Sequence, residues 1–146
     1  MSEEVKEKEV PKEPKPEAKK ASAKYAVIRV RGLVRLNGKI NNTMLMMRLY
    51  RKNYCVLIDK KELGMIKKVK DYVTYGEIDK ETEALLIKEK QEKTINKDGK
   101  EVPKQFFRLC PPKKGFGRKG IKIAFSKSGA LGYRGTKIND LIKRML

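Results

Sequence analysis

Between Tyr25 and Ile78 the apolar residues switch back and forth between a period of two and a period near 3.6, and this alternation restricts the fold more than any other feature of the chain. Tyr25-Ala-Val-Ile-Arg-Val-Arg31 is β-branched and alternating and closes on Gly32. It predicts a strand with Ala26, Ile28 and Val30 toward the core and Tyr25, Val27, Arg29 and Arg31 turned the other way. After the turn signal Asn37-Gly38, Asn41 or Asn42 is placed to cap a helix running to about Lys52. Residues 54–58 are a continuous apolar run, as expected of a strand covered on at least one face. Met65, Ile66, Val69, Tyr72 and Val73 then recur at helical spacing, and a short strand at 74–78 should follow. Strand–helix–strand–helix–strand is the order that parallel neighbours with helical crossovers need. One face of the sheet stays free if the helices pack only on the other.

Beyond residue 78 the pattern loosens. Asp79 looks like the N-cap of a helix through 84–87, and Asn96-Lys-Asp-Gly99 marks a turn. Residues 105–110 are strand-like and stop at Pro111-Pro112, and a last helix spaces Ile138, Leu141, Ile142 and Met145. Residues 111–135 hold six Gly, two Pro, seven basic residues and no acid, with Phe116, Phe125 and Tyr133 interleaved. Such a segment is expected to bury almost nothing alone and to become ordered on contact with phosphates.

The charge is segregated. Lys and Arg total 37 against 18 Asp and Glu, a net of +19. Residues 1–24 hold seven Lys and six Glu with three Pro and no aromatic, so they read as a disordered tail. Residues 25–58 carry seven basic residues and no acid, and residues 102–139 carry ten and no acid, whereas 59–101 are balanced at eleven each. A solvated surface would mix the signs. Two acid-free stretches flanking a neutral middle imply one positive face built from both ends of the chain, suited to a polyanion. Nucleic acid fits better than a membrane surface, which would call for a longer basic amphipathic helix.

Catalysis finds little support. The chain has no histidine, no phosphate-loop motif and no metal-ligand spacing. Cys55 lies within an apolar run and reads as core; Cys110 reads as structural. No apolar run approaches the roughly 18 residues of a membrane-spanning helix. Gly115-Phe-Gly117-Arg-Lys-Gly120 spells GxGxxG, but it follows Pro-Pro and precedes a strand-like stretch instead of opening a helix. Either its glycines let a basic loop approach a phosphate backbone, or the loop is merely flexible and solvated.

Five segments resemble a known family. Tyr25-Ala-Val-Ile-Arg-Val-Arg-Gly32, Asn42-Thr-Met-Leu-Met-Met-Arg-Leu-Tyr-Arg-Lys-Asn53 with Cys55-Val-Leu-Ile58, and Gly64-Met-Ile-Lys-Lys-Val-Lys-Asp-Tyr-Val-Thr-Tyr-Gly-Glu-Ile78 are similar to the L-thirty family of large-ribosomal-subunit proteins. Phe107-Arg-Leu-Cys-Pro-Pro-Lys-Lys-Gly-Phe-Gly-Arg-Lys-Gly120 and Gly132-Tyr-Arg-Gly-Thr-Lys-Ile-Asn-Asp-Leu-Ile-Lys-Arg-Met-Leu146 resemble its longer archaeal form, which is similar to the eukaryotic L-seven protein. The resemblance spans 25–146 and is weak across 80–104. It departs from the family at three places. Leu63 stands before Gly64-Met65 where Arg is usual, the loop 59–63 is short, and Cys110 stands where His usually precedes the two prolines.

The resemblance implies an α+β chain: a ferredoxin-like β-α-β-α-β core with a three-stranded sheet and two helices, a basic C-terminal extension and a final helix. The expected divisions are a disordered charged tail (1–24), an RNA-binding core (25–79) and an extension with the Gly-rich basic loop and terminal helix (80–146). The implied partners are large-subunit ribosomal RNA and other large-subunit ribosomal proteins, in the cytoplasmic ribosome. No catalysis, cofactor, metal, membrane or small-molecule substrate is implied. The candidate RNA-binding residues follow the basic segments. Arg29, Arg31, Arg35 and Lys39 lie in or after the first strand, and Arg48, Arg51 and Lys52 on one stripe of the first helix. For any one of those three a solvated position is as good an account. Lys67 and Lys70 belong to the second helix. From the extension come Lys113, Lys114, Phe116, Arg118, Lys119, Lys122, Lys127, Tyr133 and Arg134, with Phe116 placed to stack on an unpaired base.

Overall fold

The alternating segment that opens the core forms β1 (Lys24–Arg29), and it occupies the middle of the sheet. The structure, a computed structural model, describes residues 24–97 and 99–146, so the tail expected at 1–24 lies outside the described residues except for Lys24. β2 (Tyr54–Asp59) and β3 (Val73–Glu77) flank β1, both antiparallel to it. α1 (Gly38–Met46) connects β1 to β2, and α2 (Leu63–Val69) connects β2 to β3. The five-element order is as expected, but the neighbours are antiparallel. α1 and the loop behind it return the chain to the end of the sheet it left, and α2 then carries it across β1.

The extension contributes α3 (Lys80–Lys90), β4 (Lys93–Ile95), β5 (Glu101–Pro103), β6 (Phe107–Arg108), β7 (Gly132–Tyr133) and α4 (Ile138–Met145). β4 and β5 form a separate hairpin. β6 pairs with the outer edge of β2, and β7 runs parallel to β3, giving a five-stranded order β6-β2-β1-β3-β7. The extension therefore supplies both edges of the sheet.

It also covers the face expected to be free. Tyr25, Val27, Val56, Ile58 and Val73 pack against Met44, Met47 and Leu49 and against Ile66 and Val69 of α2. Ala26, Ile28 and Cys55, on the opposite face, pack against Leu86 of α3 and Ile138, Leu141, Ile142 and Met145 of α4. The alternation of β1 sorts its side chains between two cores, not between core and solvent. Fully burying each of the larger aliphatic chains stabilises the fold by roughly 1.5–3 kcal/mol.

α1 starts and stops earlier than its sequence predicts. Asn37, not Asn41 or Asn42, is the N-cap, its Oδ1 accepting from the Lys39 amide at 3.2 Å. The helix ends at Met46, and Arg48 (φ 58°) and Asn53 (φ 63°) bracket the following loop in the left-handed region that breaks helical continuity. Arg48, Arg51 and Lys52 thus ride on a loop and form no helical stripe.

Residues 111–135 are also more built than expected. Gly129, Ala130, Leu131 and Arg134 are buried, and Ala130 and Leu131 form a small core with Val30. A Cβ on Gly129 would strike the Ile123 carbonyl, so only glycine permits this close return of the chain. α4 is tied to the corner after β3 by Asn139, whose Oδ1 accepts from the Asp79 amide (3.1 Å) and whose Nδ2 donates to the Glu77 and Thr136 carbonyls (3.2 and 2.9 Å). Asp79 is the N-cap of α3 as predicted, without a side-chain capping bond.

Candidate nucleic-acid interface

The strand register decides where the charges meet. Lys24 pairs with Asp59 and Tyr25 with Glu77 at one end of the sheet; Ile28 pairs with Cys55 and Arg29 with Val73 at the other. The end of β1 and the starts of β2 and β3 therefore converge. Arg31, Asn53 at the close of the 47–53 loop and the Lys70–Tyr72 turn gather at that end, while Asp59, Glu62, Glu77 and Asp79 lie at the opposite one, where Met47 and Arg48 share a concavity with Asp59 and Glu62.

At the convergent end a groove of about 450 Å³ is lined by Arg31, Lys70, Tyr72, Lys122, Ala124, Leu131 and Gly132, with Asp71 the one carboxylate in its wall. Arg31 lies over the Tyr72 ring at 4.9 Å and donates from Nη1 to the Asp71 carbonyl at 3.4 Å. Arg31 comes from the N-terminal acid-free stretch and Lys122 from the C-terminal one. Three strongly basic side chains from three separate segments thus face one concavity, a shape and charge suited to a phosphate backbone.

Two of the expected contact residues are not at the surface. Arg29 is 1% exposed, and its guanidinium donates to the carbonyls of Leu49 (2.6 Å), Tyr50 (3.3 Å), Arg31 (2.9 Å) and Gly32 (3.1 Å). It reaches four backbone acceptors and no carboxylate. Burial pushes its pKa below the ordinary arginine value. Arg29 is spent inside the fold, where it clamps the loops that carry Arg31 and Arg48–Lys52. Arg134 is likewise buried. It donates to the Phe116 and Ala130 carbonyls (3.0 and 3.3 Å) and to Thr74 Oγ1 (3.3 Å), with its guanidinium 4.6 Å from the Phe125 ring centre. Burial first, then the positive charge of Arg144, lowers its pKa, partly opposed by Asp140. It fastens the Gly-rich loop to the sheet.

Phe116, expected to stack on a base, is half-buried against both the α4 core and the Ala130–Leu131 cluster and anchors its loop there. Around it Lys113, Lys114, Arg118 and Lys119 are exposed, as are Lys122 and Lys127. Arg144 donates to the carbonyls of Lys113 (3.2 Å) and Gly115 (3.0 Å), holding the start of this loop against α4. Arg35, Lys39, Arg51, Lys52 and Lys67 are exposed, and none of them lines the groove. Arg48 lines a different concavity along the β2 edge, with Met46, Ile87 and Phe107. Tyr133 is exposed on β7, 5.6 Å from Tyr75. Leu63, standing where the family usually has Arg, turns toward the α1–α2 core.

A second cluster escaped sequence reasoning. Tyr54 and Phe106 stack nearly parallel at 5.2 Å, and Tyr50 meets Phe106 edge-on at 5.8 Å. The Arg108 guanidinium lies 6.0 Å from both the Tyr54 and Phe106 rings. Glu92 pairs with Lys104 (2.6 Å) and Arg108 (3.5 Å); its hydrogen bond from Lys104 is the main reason its carboxyl is held below the usual range. The available signal was Tyr50 itself, an aromatic set between Arg48 and Arg51.

Cys55 is buried as expected, its thiol pushed up to about 12 by burial, whereas Cys110 is exposed with the Lys90 ammonium 3.8 Å from its sulfur. Among the described residues no helix is long and apolar enough to cross a membrane.

Comparison with known proteins places the chain in a family. The family model described as ribosomal protein L30p/L7e matches residues 25–73. The chain is 46% identical to large ribosomal subunit protein uL30 of Methanococcus maripaludis, with 84% of this chain and 99% of that protein covered. The protein of the same name from Nanoarchaeum equitans is 44% identical over 85% of this chain and 99% of its own length. That from Methanopyrus kandleri is 38% identical over 80% and 100%. With identity at this level along essentially the whole length of such relatives, the chain belongs to the L30p/L7e family of ribosomal proteins.

Proposed function

We propose that the chain is a structural constituent of the large ribosomal subunit and meets ribosomal RNA with the basic end of its sheet. The observation that carries this reading is the groove where Arg31, Lys70 and Lys122 converge from segments far apart in sequence. Phosphate contacts supply affinity and orientation, and the chain performs no catalysis. Its place of work is the cytoplasmic ribosome, among other proteins of the large subunit.

Within this reading Arg31, Lys70 and Lys122 hold phosphates in the groove. Arg35, Lys39, Arg51, Lys52 and Lys67 extend the field around it. Lys113, Lys114, Arg118, Lys119 and Lys127 reach RNA from the extension. Arg29 and Arg134 act indirectly, by fixing the loops that present these side chains. Residues 25–79 serve as the RNA-binding core and 80–146 as an extension that widens the contact. The tail 1–24, with its small net charge, is dispensable for attachment.

Sedimentation of the tagged chain through a high-salt gradient, followed by sequencing of crosslinked RNA, tests the proposal. Co-migration with the large subunit and crosslinks to its RNA are expected. Release from the subunit in high salt with no preferred RNA site would refute it.

A further inference from the structure

The groove leaves the Tyr50 cluster unexplained. Tyr50 keeps 41% of its surface exposed, although it follows Leu49, which is completely buried. The backbone that turns it outward is strained at both ends, by Arg48 at φ 58° and Asn53 at φ 63°. The loop is nonetheless fixed: Leu49 and Tyr50 give their carbonyls to Arg29, and the Asn53 amide donates to the Arg29 carbonyl at 2.8 Å. A large amphipathic ring is therefore held out in solvent by a built, over-determined loop. Phe106 backs it edge-on and is itself stacked on Tyr54. Arg48, Arg51 and Lys52 are exposed and make no ion pair among the described residues; Arg108 stands beside the stack, shared with Glu92.

We propose that Tyr50, backed by Phe106 and Tyr54, is a stacking platform for a single unpaired nucleobase of RNA, whose flanking phosphates are met by Arg48 and Arg51. Every base offers a π face, and aromatic rings edged by cations are the general means of holding one outside a helix. The exposed positive charges of its sequence neighbours Arg48, Arg51 and Lys52, and of Arg108 beside the stack, favour a polyanion over an apolar protein side chain. This inference rests on the RNA-binding reading above and adds a contact that takes a base, where the groove takes only backbone.

The test compares the full-length chain with its Tyr50→Ala, Tyr50→Phe and Arg51→Gln variants. The probe is large-subunit ribosomal RNA transcribed in vitro, either unmodified or carrying a photoreactive analogue of each of the four bases in turn. Tyr50→Ala should weaken binding on the order of five- to a hundredfold, with the slope of log affinity against log salt unchanged. Tyr50→Phe should bind like the parent, and Arg51→Gln should make the slope shallower. Irradiation should crosslink the substituted RNA at Tyr50. Unchanged affinity of Tyr50→Ala, or crosslinks confined to residues outside 48–54, would overturn the platform while leaving the groove intact. Full RNA affinity with failed incorporation into subunits would also overturn it, by assigning the ring to a protein neighbour. Absence of RNA binding by the parent chain would instead refute the RNA-binding reading itself.

Discussion

The guanidinium of Arg29, buried at the end of the central strand, donates to the carbonyl of Leu49 across 2.6 Å. Through this bond and those to Tyr50, Arg31 and Gly32, one central-strand side chain sets the position of two basic loops. Planar fork geometry makes arginine suited to this, since several donors leave one rigid group in different directions.

Replacing Arg29 by Met should therefore act on stability first. It leaves four carbonyls without their donor, at roughly 1–3 kcal/mol for each that water cannot reach. Because Tyr50 and its loop are partly open to solvent, a total of about 3–5 kcal/mol is expected. Denaturant unfolding measures this directly. A loss below about 1 kcal/mol would show that the clamp is unimportant. Arg29→Lys should fall between the two and leave the salt dependence of RNA binding unaltered, since this residue touches no phosphate.

Gly76 on β3 should resist substitution. A Cβ there would meet the Gly135 carbonyl and lie 3.0 Å from Ile138, so the segment leading into α4 would have to move. Gly76→Ala is expected to destabilise by about 1–3 kcal/mol, the range for overpacking. Gly38, at the start of α1 with open space around it, is the control; Gly38→Ala should be neutral or slightly stabilising. Thermal unfolding of the two variants separates a close-packed site from a merely helical one, and similar melting temperatures would contradict the packing.

The two thiols should differ sharply in reactivity. Cys55 is inaccessible and its thiol is held protonated up to about pH 12, so native protein should take one alkyl group from iodoacetamide, at Cys110, and two when unfolded. Mass spectrometry of labelled peptides reads this. Native labelling at Cys55 would mean that the α3 and α4 layer lifts from the sheet.

The hairpin arm should loosen in acid. Glu92 bridges Lys104 and Arg108, which hold its carboxyl below the usual carboxylate range. A depressed carboxylate contributes its stabilisation above the unfolded-state pKa and loses it as pH falls through the folded-state value. Amide exchange across residues 92–108 should therefore accelerate, relative to α4, as pH falls through and below the ordinary glutamate range, and Glu92→Gln should abolish that difference. Identical profiles for the parent and the variant would rule out the bridge.

The core elements were legible because period and capping chemistry are local. β1, β2, α2 and β3 follow directly from the spacing of Val27, Ile28, Val56, Ile66 and Val69. What returns from far along the chain was not legible. β6 and β7 contain two residues each, too few for any period, and their pairing with β2 and β3 is what buries the second face. For the same reason Arg29 read as a surface charge: nothing local announces that four carbonyls converge on it. The overlong reading of α1 has another cause. Leu45 and Leu49, and Met46 and Tyr50, keep the i, i+4 spacing of a helix past Met46, while the left-handed backbone at Arg48 carries no glycine to signal it. The groove was foreshadowed only as charge, by the two acid-free stretches; that Arg31 and Lys122 share a wall is a fact of topology.

The claim that RNA is met at the convergent end of the sheet is tested most directly by the salt dependence of binding in two charge-matched variants. One replaces Arg31, Lys70 and Lys122 by Gln in the groove; the other replaces Lys60, Lys61 and Lys80, which follow the opposite ends of β2 and β3. Each removes three positive charges. The groove variant should flatten the slope of log affinity against log salt by about 2–3, as expected for losing three phosphate contacts, and the distal variant should leave it unchanged. Equal flattening in both would show that RNA responds only to net charge, and would contradict an interface at that end.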